Sequence, residues 1–220
     1  MSFKHRKNMA EEIAHYLSEK IIRLDIKPGD RILEAKVAEE LHVSRSPVRE
    51  AIRILEKFHL VELMPRRGVR VKEITPDYIH CLFDIMTELL GLITRLSCQN
   101  RSDDDLIQLI QMEEKAHTYA LEKNTRGYYE SLYEYALITL KASKNPLLAQ
   151  MIKDFLPGFR RAYFVFLSYS PYNLIESSKM FREINQHIID SDYSTAEEKV
   201  KRYTTLEKKR ILDILRRHMN

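Results

Sequence analysis

Apolar residues along this chain follow a helical spacing almost throughout, and the spacing changes to that of strands only between residues 60 and 73. Before that point, three segments place apolar side chains every three or four residues, over 8–24, 34–41 and 44–58. Two short runs rich in β-branched residues follow, over 60–64 and 69–73. The four residues that separate them, Pro-Arg-Arg-Gly, predict a tight turn.

Three helices followed by a two-stranded hairpin predict a winged helix-turn-helix domain over residues 1–75. From Pro76 onward the pattern is helical, and turn or capping residues separate six segments. These segments cover residues 76–98, 102–123, 126–143, 146–169, 171–189 and 193–217. The predicted fold class is therefore mainly α, with an all-helical bundle over residues 76–220.

The composition excludes several classes of protein. With 44% hydrophobic and 31% charged residues, the 220-residue chain can bury a core. No apolar run approaches the roughly 18–20 residues of a membrane helix, and the first ten residues lack a secretory signal. Two cysteines cannot make a disulfide framework. We therefore expect a cytoplasmic protein without a membrane partner.

Positive charge is concentrated in the N-terminal third. Residues 1–75 hold 16 Lys+Arg against 12 Asp+Glu, a net charge of +4, whereas the remaining residues hold 20 of each. Within that third, residues 44–70 carry seven basic side chains against three acids. A basic patch on an otherwise balanced chain is typical of nucleic-acid binding, although a solvated basic face remains the alternative.

The third predicted helix carries the residues best placed to read DNA. Arg45 and Arg49 lie one turn apart at its start, and arginine is the most common reader of guanine in the major groove. Ser44 is a good N-cap for this helix. Side chains predicted to bind phosphate or an adjacent groove lie nearby: Arg31, Lys36, Ser44, Ser46, Arg66, Arg67 and the backbone at Gly68. For any single arginine, a role in solubility is the alternative.

Residues 28–34 (PGDRILE) and 37–55 (VAEELHVSRSPVREAIRIL) closely resemble the winged-helix domain of the GntR family of bacterial transcription regulators. Residues 60–62 and 66–71 are also similar to that domain. The resemblance implies that this protein binds double-stranded operator DNA. In that family, DNA is contacted by serine and arginine residues of the second segment and by a glycine of the wing, the hairpin over residues 60–73. The resemblance assigns these contacts to Ser44, Arg45, Ser46, Arg49 and Gly68.

The helical tail resembles the FadR-like branch of this family, whose sensor is the FCD domain. Residues 142–148 (ASKNPLL) are similar to the branch's Ala-Ser-Gly-Asn-Pro-Leu-Leu string, and residues 182–196 match a second stretch. The resemblance implies a homodimer whose bundle binds a small-molecule effector and whose DNA affinity responds to it. A repressor of transcription is the expected role.

Many FCD domains bind a divalent metal through one Asp and three His. Counted from Asn145 and Asp192, those four ligands correspond to Leu132, Ala136, Phe181 and Tyr203. The arginine that often meets an effector carboxylate corresponds to Met86. Because none of these side chains except, weakly, the tyrosine is a competent ligand, we expect no metal or other cofactor. The five residues predict an apolar, uncharged pocket for a hydrophobic or aromatic effector.

The sequence leaves two alternatives to a ligand-responsive regulator. A constitutive or architectural DNA-binding protein with a vestigial sensor is the alternative that the missing ligand set supports. An enzyme is disfavoured because no catalytic triad, P-loop or dinucleotide-binding motif is present. The pair Glu114 and His117 forms one Glu-x-x-His motif, but a di-iron bundle needs a second copy.

Overall fold

The computed structural model describes residues 2–64, 68–169 and 174–218. Within these ranges the chain forms helices and a small antiparallel sheet, which confirms the predicted fold class. In chain order the elements are α1 (Ser2–Ile22), β1 (Arg31–Ile32), α2 (Glu34–Glu40), α3 (Arg45–Lys57), β2 (Val61–Met64), β3 (Gly68–Val71), α4 (Pro76–Asn100), α5 (Asp103–Leu121), α6 (Thr125–Ala142), α7 (Pro146–Tyr169), α8 (Leu174–Ile189) and α9 (Tyr193–His218).

The chain divides into two compact units. The first contains Met1–Thr75 together with Asp154–Val165, and the second contains Pro76–Lys153 and Phe166–Asn220. Among the described helices, none has both the length and the apolar character that crossing a membrane would require.

The core of the first unit orients α3. Val48, Ala51, Ile52 and Leu55 are at most 1% exposed, and they pack with apolar side chains of α1, α2 and the sheet. These four positions follow the helical period, so they share one face of α3. The opposite face, which carries Arg45, is exposed as a consequence.

The sheet has three strands in the order β1-β3-β2, all antiparallel. The predicted hairpin is confirmed, with Val61 opposite Val71. The sequence did not reveal β1, in which Ile32 lies opposite Val69, because two residues are too few to show a period. The turn before β1 is also hydrogen-bonded to β3, because the Gly29 amide donates to the Val71 carbonyl at 2.9 Å. Gly29 has φ +83°, a left-handed conformation that favours glycine.

Part of α7 belongs to the first unit. Arg160, which is 8% exposed, donates two hydrogen bonds to the Glu19 carboxylate, at 2.6 and 3.3 Å. Lys57 pairs with Asp154 at 2.9 Å. A helical segment about 80 residues farther along the chain thus completes this unit, and apolar periodicity alone could not predict that.

In the second unit, α4 packs along α9, while α5 packs against α6 and α8. Ion pairs between described residues of α4 and α9 include Lys208–Asp84 at 2.6 Å, Lys201–Glu88 at 2.7 Å and Arg95–Glu197 at 3.0 Å. Exposed pairs of this kind contribute little stability, so the buried apolar faces hold the two helices together.

Within the described ranges, six residues other than glycine have positive φ: Leu24, His42, His59, Lys123, Lys144 and Ser191. Each follows the end of a helix, in the left-handed conformation that commonly closes one. For an L-residue with a Cβ atom this conformation is strained, and glycine is the usual occupant. Lys144, at φ 52°, occupies the position of the glycine in the Ala-Ser-Gly-Asn-Pro-Leu-Leu string of the resembling domains.

We expect Lys144→Gly to raise the free energy of unfolding by about 1 kcal/mol, because glycine removes the strain of the left-handed conformation. Lys115→Gly is the matched control, since Lys115 is exposed in the interior of α5. That control should lose about 1 kcal/mol. Thermal and denaturant unfolding compare the two variants, and equal destabilisation by both would contradict the assignment of strain to Lys144.

Candidate nucleic-acid interface and effector site

The solvent-facing side of α3 carries the predicted DNA-reading residues. Ser44, Arg45, Ser46 and Arg49 are all exposed at or near the start of this helix. Ser44 occupies the N-cap position, as predicted, but its side chain accepts no capping hydrogen bond. The exposed Ser44 hydroxyl and the amides of the first turn are therefore available to a phosphate group.

The two candidate base-reading arginines differ in their surroundings. Arg49 pairs with Glu34 of α2: its Nε lies 3.2 Å and its Nη2 lies 3.0 Å from Glu34 Oε2. This hydrogen bonding raises the pKa of the Arg49 guanidinium. Arg45 and Arg53, which share the exposed side of α3, have no ion pair with any described residue.

Other basic side chains of the patch over residues 44–70 are partly neutralised. Arg70 pairs with Glu62 of the neighbouring strand at 2.6 Å, and Lys57 pairs with Asp154. Glu62 is one of the three acids counted within residues 44–70, whereas Asp154 lies outside that range and adds a negative charge beside the patch. Arg31 lies opposite Arg70 in the sheet, and both Arg31 and Lys36 are exposed, as a contact to phosphate requires.

Two of the predicted wing residues, Arg66 and Arg67, lie outside the described residues. Gly68, the first residue of β3, has φ +85°. A Cβ atom built there would meet nothing within 4 Å, so backbone conformation and not space within this chain favours glycine at that position.

Three of the five predicted effector residues lie together in the second unit. Leu132, Phe181 and Tyr203 belong to one apolar cluster formed by α5, α6, α8 and α9. Met86 is fully buried and Ala136 is half-buried, but neither belongs to this cluster as the described residues define it. Within the cluster, Tyr135 meets Phe181 edge to face, with ring centroids 4.6 Å apart.

The residues at the four metal positions do not fit a divalent metal. Leu132, Ala136 and Phe181 offer no donor atom, and Tyr203 offers only a phenol. In the ranges that the structure describes, no group of three or more His, Cys, Asp or Glu side chains could hold a metal ion.

Buried polar groups lie beside this apolar cluster. The Tyr135 hydroxyl donates to Asn185 Oδ1 at 3.0 Å, and both side chains are buried. Burial and the nearby Glu113 carboxylate raise the pKa of Tyr135. Glu113 is 6% exposed and accepts from Arg182 at 2.9 Å. The bundle therefore buries a carboxylate near the apolar cluster, and that carboxylate is paired with an arginine.

Other polar contacts between described residues of the bundle involve His117 and Glu207. His117 Nδ1 lies 2.9 Å from the hydroxyl of Ser178, so the histidine of the lone Glu-x-x-His motif makes a contact between α5 and α8. On α9, Glu207 is 1% exposed, and its Oε1 accepts from Arg210 at 2.7 Å and from Ser177 at 3.2 Å. The helical pattern alone did not show that Glu207 faces inward.

A winged helix-turn-helix with an exposed basic recognition helix, joined to a separate helical bundle, defines a DNA-binding regulator with a sensor domain. Comparison with known families agrees with this class. Residues 9–71 match the family described as bacterial regulatory proteins, gntR family, and residues 81–205, more than half of the chain, match the FCD domain. The chain belongs to the GntR family and carries an FCD domain.

Curated relatives are transcription regulators. The chain is 32% identical over 105 residues to the uncharacterized HTH-type transcriptional regulator YdhC of Bacillus subtilis, and 26% identical over 133 residues to the HTH-type transcriptional regulator McbR of Escherichia coli. These matches cover 46% and 59% of this chain, and 47% and 58% of the two relatives. The chain thus spans about half the length of the curated relatives that it matches.

Solved structures share the fold over nearly the whole chain. McbR/YncC of E. coli aligns with a TM-score of 0.79 at 20% identity, covering 96% of this chain and 99% of that one. A GntR transcriptional regulator from Rhodococcus sp. RHA1 aligns with a TM-score of 0.74 at 19% identity, covering 93% and 97%. Together these comparisons confirm the predicted family and fold, and the family and relatives are regulators, not enzymes.

Glu207→Gln tests the cost of the buried carboxylate. Burial raises the pKa of Glu207 above its ordinary value of 4.5. A raised native pKa contributes stability that is fully present below the unfolded value and is lost as pH rises through the native value. Since glutamine does not ionise, we expect the stability of the variant relative to wild type to improve from pH 4 to pH 8.

Thermal unfolding across this pH range measures the effect. Glu198→Gln, which neutralises an exposed carboxylate on the same helix, is the control and should follow the wild-type profile. A constant difference in stability between Glu207→Gln and wild type at all pH values would show that burial does not raise the pKa of Glu207.

Proposed function

We propose that this protein is a ligand-responsive repressor of transcription that binds a short inverted-repeat operator as a homodimer. The observation that carries the proposal is the orientation of α3. Its apolar face is buried in the first unit, while Arg45 and Arg49 at its start are exposed. Recognition helices contact base edges with residues at this end.

In the proposed complex, α3 enters the major groove, and Arg45 and Arg49 each donate two hydrogen bonds to a guanine. Ser44 and Ser46 bind phosphate groups beside the groove, while Arg31 and Lys36 clamp the backbone from β1 and α2. Gly68 allows the backbone of the wing to approach DNA closely. The wing residues Arg66 and Arg67 are proposed to contact the adjacent groove.

A homodimer accounts for the proposed operator symmetry. Two copies related by a two-fold axis would place their recognition helices about 34 Å apart, one helical turn of DNA. An effector in the bundle would alter the distance or mobility of these helices. A coupling of about 1–3 kcal/mol is typical of such regulation.

We propose that the effector site is metal-free and largely apolar, built around Leu132, Phe181 and Tyr203 with Met86 and Ala136. The apolar cluster supports this proposal because it lacks the donor atoms of a metal site. An aromatic or aliphatic ligand fits such surroundings better than a metal-bound dicarboxylate. The nearby pair of Tyr135 and Asn185 offers hydrogen-bonding atoms for a polar end of the ligand.

A constitutive or architectural DNA-binding protein is the second candidate. The substitutions at the four metal positions and at Met86 favour it, since they remove the groups with which related sensors hold a carboxylate effector. In that case the bundle would serve dimerisation alone.

Substitution of the two arginines tests the DNA-reading assignment. Arg45→Ala and Arg49→Ala should each weaken operator binding by about 1–3 kcal/mol, because a bidentate contact to a base is lost. Fluorescence anisotropy would measure binding to an operator selected from a random duplex library and to a scrambled duplex. Arg126→Ala, an exposed arginine in the second unit, is the matched control and should bind as wild type.

The salt dependence of binding gives a second readout. Each lost phosphate or groove contact should also reduce the slope of affinity against salt. Wild-type operator affinity and an unchanged salt slope in both Arg45→Ala and Arg49→Ala would overturn the assignment of α3 as the reader.

Metal analysis and ligand screening test the effector site. The purified protein should contain no stoichiometric zinc, manganese or nickel, and an apolar compound should raise its Tm and change its operator affinity by roughly 5- to 150-fold. Phe181→Ala should abolish that response while leaving operator binding without ligand intact. Stoichiometric metal would refute the apolar site, and a screen without any stabilising compound would favour the constitutive DNA-binding protein.

A further inference from the structure

A carboxylate lies on the surface that is proposed to face DNA. Glu34, the first residue of α2, contacts Arg49 of α3 across 15 positions of sequence. Its Oε1 and Oε2 lie 3.3 and 3.2 Å from Arg49 Nε, and Oε2 lies 3.0 Å from Nη2. An acidic group at such a surface repels phosphate, so its presence there has a cost for DNA affinity.

The contact uses one edge of the guanidinium only. A guanidinium carries five N–H groups, and Glu34 accepts from the edge formed by Nε and Nη2. The Nη1 group and the second hydrogen of Nη2 point away from this carboxylate. Two parallel donors on that remaining edge match the O6 and N7 acceptors of guanine.

Stability of the fold does not explain the pair. The side chains of Arg49 and Glu34 are 62% and 29% exposed, and ion pairs this exposed to solvent contribute little to the stability of a fold. The surroundings of Arg45 show that α3 does not need a carboxylate partner for each of its arginines, since Arg45 forms no ion pair with a described residue.

We propose that Glu34 is a positioning residue for DNA readout, which holds the Arg49 guanidinium so that its outer edge reads one guanine. The inference rests on the proposed function of α3 as the reader. Glu34 thereby lowers the affinity for DNA of any sequence and increases discrimination between sequences. A guanidinium held on one edge has fewer ways to bind phosphate, and its alignment with a base is prepared before binding.

The position of Glu34 in the chain suits this role. It follows β1 by two residues, and β1 is fixed by its pairing with β3. The Glu34 backbone is therefore held by the sheet while Arg49 is held by the buried face of α3. The geometry of the pair is set by the core of the first unit, not by a mobile loop.

Two substitutions distinguish the effect of the Glu34 charge from the effect of its side-chain length. Glu34→Gln removes the charge, so we expect tighter binding to a scrambled duplex and a steeper salt slope by about one. The ratio of operator to scrambled affinity should fall by about fivefold or more, the lower end of the range for one bidentate base contact. Glu34→Asp keeps the charge but shortens the side chain, so the ratio should fall without a gain in scrambled binding.

Glu39→Gln is the matched control, because Glu39 is an exposed carboxylate on the same helix. It should increase affinity for both duplexes alike and leave their ratio unchanged. In the double variant Glu34→Gln/Arg49→Ala, discrimination should be no lower than in Arg49→Ala alone. The loss of discrimination should map to one base pair when the operator is varied base by base, and the Tm of each variant should stay close to that of wild type.

The outcomes distinguish this inference from the proposed function. If wild-type protein does not discriminate operator from scrambled DNA, or Arg49→Ala does not reduce discrimination, α3 is not the reader and both proposals fail. If Arg49→Ala reduces discrimination but Glu34→Gln and Glu34→Asp do not, only the positioning role is refuted. A parallel loss of affinity for both duplexes, or a large fall in Tm, would assign Glu34 a structural role instead.

Discussion

Burial of one face of α3 determines which side chains the first unit exposes to solvent. Val48, Ala51, Ile52 and Leu55 are removed from water together, and a rotation of the helix about its axis would expose them. Fully burying a side chain of the Val or Leu type is worth about 1.5–3 kcal/mol, more than any exposed ion pair offers. The positions of the arginines on the opposite face therefore follow from packing, and no contact on the outer surface is needed to hold the helix in this orientation.

Apolar spacing was sufficient to predict the helices and the hairpin, because each of these elements spans at least one full period of its pattern. Contacts between distant segments were not predictable in the same way. The strand β1 is defined by its hydrogen bonds to β3 and not by a sequence pattern of its own. The segment Asp154–Val165 belongs to the first unit, although its sequence shows only the pattern of a helix. Among the candidate DNA-binding residues, the sequence identified the exposed face of α3 but not the pairing of Arg49 with Glu34, which depends on how α2 and α3 pack.

In the bundle, short sequence strings located Leu132, Phe181 and Tyr203, which the structure brings into one cluster. The same strings did not predict that Glu113 and Glu207 are buried. On a helix as polar as α9, the sequence offers several carboxylates and does not show which of them turns inward. The orientation of each carboxylate depends on its partners: Glu207 accepts from Arg210 and Ser177, whereas Glu197 pairs with Arg95.

The small strand β1 has a mechanical consequence. Its pairing with β3 joins the base of the wing to the residue that precedes α2, with only Leu33 between Ile32 and Glu34. A displacement of the wing would therefore be transmitted through backbone hydrogen bonds to the carboxylate beside Arg49, and a displacement of α2 would be transmitted to the wing. The described strands of the hairpin and α2 are therefore mechanically coupled, so a force applied to either is shared by both.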